Sequence, residues 1–183
     1  MNIAIDIDST LHHYWDQLSD AAQRRFGIAL PYEEQLSWGI TLLRPEQVRA
    51  CVEDTHSEAR VLAAEPYPGA VETVSAWHAA GHFIHVTSHR TRDSHEATER
   101  WLKRIELPYD ELYCSWDKVA HCEEIGIDVL IDDSPVNLER AREAGIAAAT
   151  LLHPWNRELC ETEDVIFASD WPELAEKLAP VLR

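Results

Sequence analysis

Two short apolar runs in this chain each end in a pair of aspartates: Asn2 to Asp8 (NIAIDID) and Ile127 to Asp133 (IDVLIDD). Runs rich in Ile and Val and bounded by polar residues predict buried strands, so the pattern delivers four carboxylates to strand ends. Gathered there, like charges repel one another unless something cationic compensates. A hard divalent cation with oxygen ligands, Mg²⁺ foremost, meets that need and leaves positions open for water and a substrate phosphate. Side chains at i and i+2 of an extended segment point the same way. Asp6 and Asp8 can therefore address one reaction centre while Ile7 turns into the core.

The chain has 183 residues, 45% of them hydrophobic, which suits one globular domain carrying at most a small insertion. Its formal net charge of −17 repels a DNA or RNA backbone, so a nucleic acid polymer is disfavoured as partner. A small phosphate ester is not excluded, because a metal and a few cations can reverse the potential locally. The four cysteines, Cys51, Cys114, Cys122 and Cys160, lack the paired spacing of a zinc site or a disulfide framework and read as free thiols. No apolar run approaches the ~18 residues of a membrane span, and the first residues read as a strand rather than a signal segment. A cytoplasmic location without membrane association is the resulting expectation. Among the ten histidines, His12, His13, His82, His85 and His89 invite a metal reading. No helical i, i+4 pair comes with a matching third ligand, so spacing alone does not support a transition-metal site.

Helical periodicity runs from Leu11 to Phe26, with Gly27 at the expected cap, and a second helix is predicted from Pro45 to about Ala63. The stretch 31–43 between them reads as irregular with a short helical turn, and 65–69 (EPYPG) as a hinge before a helix that stops at Gly81. Strands and helices then alternate. Strands are expected at 82–87, 111–114, 127–132, 147–152 and 165–167, and helices at 94–105, 118–124, 135–144 and from Pro172 onward. This alternation predicts an α/β fold with a parallel sheet covered on both faces, whose ligands bind beyond the carboxyl ends of the strands. The gap from Leu11 to Ala64 is too long for a simple crossover helix and reads as an inserted helical unit. The alternative is that these helices merely pack on the sheet.

Thr10 completes Asp-x-Asp-x-Thr, and with it the chain resembles the haloacid dehalogenase superfamily of aspartate-nucleophile phosphatases. The order of the remaining motifs strengthens the resemblance: Thr87 ends the second predicted strand, Lys118 opens the helix before the last acidic strand, and Asp132 and Asp133 close that strand. The resemblance implies a Rossmann-like core from residues 1–10 and 65–183, with residues 11–64 as a helical cap. It implies catalytic roles for Asp6, Asp8, Thr87 and Lys118, and Mg²⁺ held by Asp6, Asp8, Asp132 and Asp133. Asp132 is then the direct ligand, Asp133 a ligand or a partner behind it, and Asp8 contributes its backbone carbonyl. In the implied reaction Asp6 attacks phosphorus. Asp8 protonates the leaving alcohol and later activates water, which needs Asp8 protonated when substrate arrives. Ser9 departs from the glycine common at that place in the family.

Within the superfamily the chain looks most like the 5'-nucleotidase group with its deoxyribonucleotidases. The residues behind this closer match are LSWGI at 36–40, GIDVLIDDSPVNLERAREAGI at 126–146 and HPWN at 153–156. The implied substrate is a small phosphorylated metabolite, a nucleoside monophosphate. Trp38 or Trp15 would stack on its base, and Thr87, Ser88, Lys118 and Arg90, with His89 and Arg92 at the rim, would contact phosphate or ribose. Asn156 and Arg157 are weaker candidates. The competing readings are a phosphatase for another ester, such as a sugar phosphate, and a nucleotide-binding module without turnover.

Overall fold

The computed structural model describes all residues except Thr91 and Trp116, and for Arg92 it describes the backbone alone. Six strands form one parallel sheet in the order β3-β2-β1-β4-β5-β6: β1 Asn2–Asp6, β2 Phe83–Ser88, β3 Glu111–Cys114, β4 Val129–Ile131, β5 Ala147–Leu151 and β6 Ile166–Ala168. Strand order reverses at β1 and β4, which creates the crevice beyond their carboxyl ends where doubly wound sheets bind ligands. The fourth strand is shorter than the expected 127–132. Asp128 keeps backbone bonds to Asn2 and Ala147, and its carboxylate accepts the Asn2 amide at 2.7 Å; Asp132 lines the crevice.

Alternation along the strands sorts the core. Ile3, Ile5, Ile84, Val86, Val129 and Ile131 face one side. There they pack with α4 (Ala70–Ala79), α5 (His95–Arg104) and α9 (Trp171–Leu178) through Val74, Trp77, Trp101, Leu102, Trp171 and Leu174. Ala4 and Leu130 face the other, under α6 (Lys118–Glu124), α7 (Pro135–Glu143) and α8 (Arg157–Thr162). Period-two patterning therefore puts Asp6 with Ala4, and Thr87 with His85, on the α6 side.

The stretch after β1 contains α1 (Tyr14–Phe26), α2 (Pro45–Thr55) and α3 (Glu58–Ala63). It leaves and returns at adjacent points, since the Tyr67 amide donates to the Leu11 carbonyl at 2.7 Å and His12 bridges Pro66. Trp15, Leu18, Ala21, Ala22, Leu30, Leu43 and Cys51 form an apolar cluster of their own, which meets the rest of the molecule at Trp155. The single helix expected over 45–63 breaks at His56 and Ser57, where Ser57 adopts an extended conformation and begins α3. Beyond the break, Val61 and Ala64 join the core beside Trp101, whose indole donates to the Ala64 carbonyl at 2.8 Å. The apolar cluster of this stretch thus ends at α2, and α3 is fastened to α5.

All four cysteines are free thiols, and among the described residues no helix is long and apolar enough to cross a membrane.

Candidate active site

The last residue of β1 is Asp6, and its register partner on β2 is Thr87. Lys118, the first residue of α6, reaches up between β1 and the turn after β4. Its Nζ lies 2.5 Å from Asp6 Oδ1 and 2.6 Å from Asp132 Oδ2, with only 2% of the side chain exposed. Asp132 is fixed from behind: the Ser134 amide donates to Oδ1 at 2.9 Å, and Asn137 Nδ2 donates to its two oxygens at 3.1 and 3.2 Å. Asp133 is buried beside them.

One ammonium therefore faces three buried carboxylates. Burial, with Asp132 and Asp8 adding repulsion, pushes Asp6 up to about 7 despite its Lys118 contact. Burial, then Asp6 and Asp132, hold Asp133 well above the usual carboxylate range. Burial opposes the charge on Lys118, but Asp132 and Asp6 together outweigh it and raise the lysine. Both members of the Lys118–Asp6 pair thus hold protons more tightly than usual, and for one reason: the cluster carries more negative charge than a single cation neutralises. Such a set needs either a proton or a second cation, so these oxygen donors fit a hard dication. The Thr87 hydroxyl is buried without a hydrogen-bond partner among the described residues, on the same face as Asp6. A donor so placed lacks only an acceptor such as a phosphoryl oxygen.

Asp8 has different surroundings. Arg90 forks onto it, Nη2 to Oδ1 at 2.6 Å and Nε to Oδ2 at 3.2 Å, while His12 Nε2 lies 3.0 Å from Oδ1 and His56 Nε2 3.4 Å from Oδ2. Burial works to raise its pKa, but Arg90 and the hydrogen bonds from His12 and His56 prevail and hold it well below the ordinary range. Burial keeps His12 low, so the contact is a hydrogen bond from a neutral ring. Asp8 is therefore not held protonated as expected: the Arg90 guanidinium and the hydrogen bonds from His12 and His56, not carboxylates, dominate its environment. Arg90 likewise is not free at the rim. It is buried at 2% exposure, with its remaining amino group on Thr98 Oγ1 at 3.2 Å.

Above the aspartates lies a cleft of about 230 Å³ lined by Tyr14, Trp38, Val52 and His56 from the insertion, and by Ser9, His89, Ser134 and Asn137 from the core. A second cavity, about 160 Å³, shares Ser9, Tyr14, Trp38, Val52 and Asp133 with it and adds Trp15, Leu18, Ile40 and Trp155. Trp38 is 45% exposed; Trp15 is buried, tilted against Trp155 at 5.5 Å between ring centroids. Ser88 is buried, its hydroxyl accepting the Arg90 amide at 3.2 Å, and does not line the cleft.

The loop after β5 buttresses both acidic turns. Ser9 sits at φ 63°, a left-handed conformation that suits glycine better, and its carbonyl accepts His153 Nε2 at 2.8 Å. Burial lowers His153 to about 4, so it donates as a neutral ring. The Asp133 carbonyl accepts Trp155 Nε1 at 3.1 Å and Asn156 Nδ2 at 3.3 Å. Asn156 is thus a buried brace, while Arg157 starts α8; the Arg92 side chain lies outside the described residues. Sequence reasoning missed Asn137, His56 and the His12 contact with Asp8. Asn137 had a signal, three residues beyond Ser134 in the first helical turn, whereas Asp8 and Arg90 meet across 82 positions. Replacing Asn137 with Ala should loosen Asp132, which keeps only the Ser134 amide and Lys118, and cut turnover about 10- to 100-fold with little change in melting temperature, measured by steady-state kinetics and calorimetry.

The parallel sheet, the helices between β1 and β2 and the aspartate–lysine constellation at the strand ends define a haloacid dehalogenase-like hydrolase. A solved HAD family hydrolase from Deinococcus radiodurans, with bound phosphate and sodium, superposes with a TM-score of 0.71 at 20% identity, covering 99% of this chain and 96% of that one. The family described as "5' nucleotidase, deoxy (Pyrimidine), cytosolic type C protein" matches residues 1–181, and the chain belongs to it. It is similar to a "putative nucleotidase" of Oceanobacillus iheyensis, 25% identical over 76% of this chain and 80% of the relative. It is also similar to a "putative 5'(3')-deoxyribonucleotidase" of Chlorobaculum tepidum, 21% identical over 96% and 89%.

Proposed function

We propose that this protein is a Mg²⁺-dependent phosphomonoesterase of (deoxy)nucleoside 5'-monophosphates that works through an aspartyl-phosphate on Asp6. The observation that carries the reading is the Lys118 ammonium held between Asp6 and Asp132 on the floor of a cleft walled by Trp38 and Tyr14. A nucleophile, a fixed positive charge and an aromatic wall are what hydrolysis of such an ester requires.

Asp6, Asp132 and Asp133 would hold the metal by their carboxylates, with the Asp8 backbone carbonyl as the resemblance implies. Bound there, Mg²⁺ supplies charge neutralisation and orients a phosphoryl oxygen. Asp6 Oδ attacks phosphorus in line, the ester oxygen departs, and Lys118 and the Thr87 hydroxyl take the charge on the equatorial oxygens. Asp8, ionised as its surroundings favour, then removes a proton from a water that attacks phosphorus, breaking the bond to Asp6 Oδ so that inorganic phosphate leaves and the Asp6 carboxylate is restored. Its earlier task, protonating the leaving alcohol, requires the Arg90 fork to loosen. His56 Nε2 lies 3.4 Å from Asp8 Oδ2 on the cleft side. Arg90 positions Asp8 and Ser88 shapes the turn that carries Arg90; neither lines the cleft in this arrangement. Residues of α1 and α2 act as a cap over the strand ends, placing the base against Trp38.

The test is phosphate release from a panel of nucleoside monophosphates and sugar phosphates, with Mg²⁺ and with chelator. Nucleotide turnover that chelator abolishes is the expected result. Turnover of sugar phosphates with none of any nucleotide would overturn the substrate assignment. Trp38→Ala should raise KM for nucleotides by the ~1–3 kcal/mol of a base–aromatic stack, roughly 5- to 150-fold. Hydrolysis of a small ester without a base should be unchanged in the same kinetic assay.

A further inference from the structure

We propose that His85, Glu111 and His121 form a second metal site, suited to a borderline transition-metal dication of the zinc class, beneath the aspartate site on the α6 side of the sheet. Among the described residues, one ligand atom from each of the three side chains lies within 4.8 Å of the other two. His85 and Glu111 are register partners on β2 and β3, so their side chains share a face. His85 Nδ1 lies 3.4 Å from Glu111 Oε2, close to the ~3.3 Å edge of a tetrahedron with bonds of about 2.0–2.1 Å. His121 comes from α6, three residues after Lys118 and on the same side of the helix.

The second observation is an unsatisfied donor set. His85 is fully buried; its Nδ1 meets Glu111 at 3.4 Å, its Nε2 has no hydrogen-bond partner among the described residues, and His121 Nε2 is buried in the same condition. A buried imidazole nitrogen without a partner is costly, and native structures rarely keep one without a ligand to explain it. The geometry supplies the rest of a metal site. Tyr113 stacks on His121 at 3.9 Å between centroids and fixes its ring, and Glu124 Oε2 stands 3.8 Å from His121 Nδ1, behind the ring. Glu111 is 47% exposed, which gives an ion a way in. Two imidazoles and one carboxylate leave a fourth position for water and select zinc-class ions over Mg²⁺, which prefers oxygen donors. A metal here would tie β2 and β3 to the helix that carries Lys118, while leaving the aspartates to their own cation.

The probe is Co²⁺, titrated into the chelator-stripped full chain with excess Mg²⁺ present to occupy the oxygen site. Nitrogen-ligated tetrahedral cobalt shows strong visible absorption; octahedral oxygen-ligated cobalt does not. The wild-type chain should bind a single equivalent with the tetrahedral spectrum, and Zn²⁺ should displace it. His121→Asn should abolish the band, and Glu111→Gln should weaken binding at least ~10-fold, each with an unchanged circular dichroism spectrum. Both positions are partly exposed, so folding is not at stake as it is for His85→Asn. Absence of the band in the wild type, or undiminished cobalt affinity in either variant, overturns the site.

Discussion

Lys118→Met should lower stability by about 3–5 kcal/mol at neutral pH and reduce turnover by about 10²–10³-fold. The methionine keeps most of the volume, so the loss is electrostatic. Lys118 Nζ contacts Asp6 at 2.5 Å and Asp132 at 2.6 Å, and among the described residues it is the one full positive charge in contact with these two carboxylates, which are buried beside Asp133. Removing one partner of a buried ionic cluster leaves uncompensated charge, which is the expensive direction. In a chain of this size the loss corresponds to roughly 6–20 °C in melting temperature. The cost should shrink at about pH 5, where the carboxylates can take up protons in place of the lost ammonium, and a divalent cation should restore stability more than turnover. Thermal unfolding of wild type and variant at pH 5 and 8, with and without Mg²⁺, reads both effects. An equally stable variant at pH 8 would show that the lysine does not hold the cluster together.

How much of this could be read from residues alone depends on the range of the interactions. The strand-end aspartates were legible because period-two patterning and the acidic termini are local, and both runs proved to be adjacent strands β1 and β4 with Lys118 between their ends. Thr87 and Lys118 needed only correct element boundaries. The break between α2 and α3 was hidden, since nothing in 45–63 but Ser57 signals a stop, yet that break brings His56 to Asp8. Helix α8, six residues long, is too short to show a period after HPWN. The Arg90–Asp8 fork, the His153 bond to the Ser9 carbonyl and the His85–Glu111–His121 group each join separate elements. For the histidines, spacing speaks against a metal only where the ligands share one helix, whereas these come from two neighbouring strands and the helix above them. The protonation of Asp8 was hidden for the same reason: its controlling charge is on another strand's loop.

Asp6→Asn should abolish turnover, on the order of 10⁴-fold or more, with the fold retained. The amide matches the carboxylate in shape but cannot attack phosphorus, and Lys118 keeps Asp132 as its partner. The variant also has a signature in stability that a dead enzyme by itself would not show. Asp6 is raised in the folded state from 3.8 to about 7. Between those values the folded chain holds a proton that the unfolded chain has released, so stability falls as pH rises through that window and levels off above it. Chelator-treated wild type should therefore lose stability from about pH 4 to 7, by several kcal/mol at most. Asp6→Asn should lose less over the same range, the remainder coming from Asp133, whose carboxyl is raised by the same burial and crowding. Added Mg²⁺ should flatten the wild-type curve by favouring the ionised donors. Denaturant titrations across pH 4–8 give the slopes, and phosphate release gives the turnover. A variant within tenfold of wild-type turnover removes Asp6 as the nucleophile, and matching slopes in the two proteins would place the buried proton elsewhere.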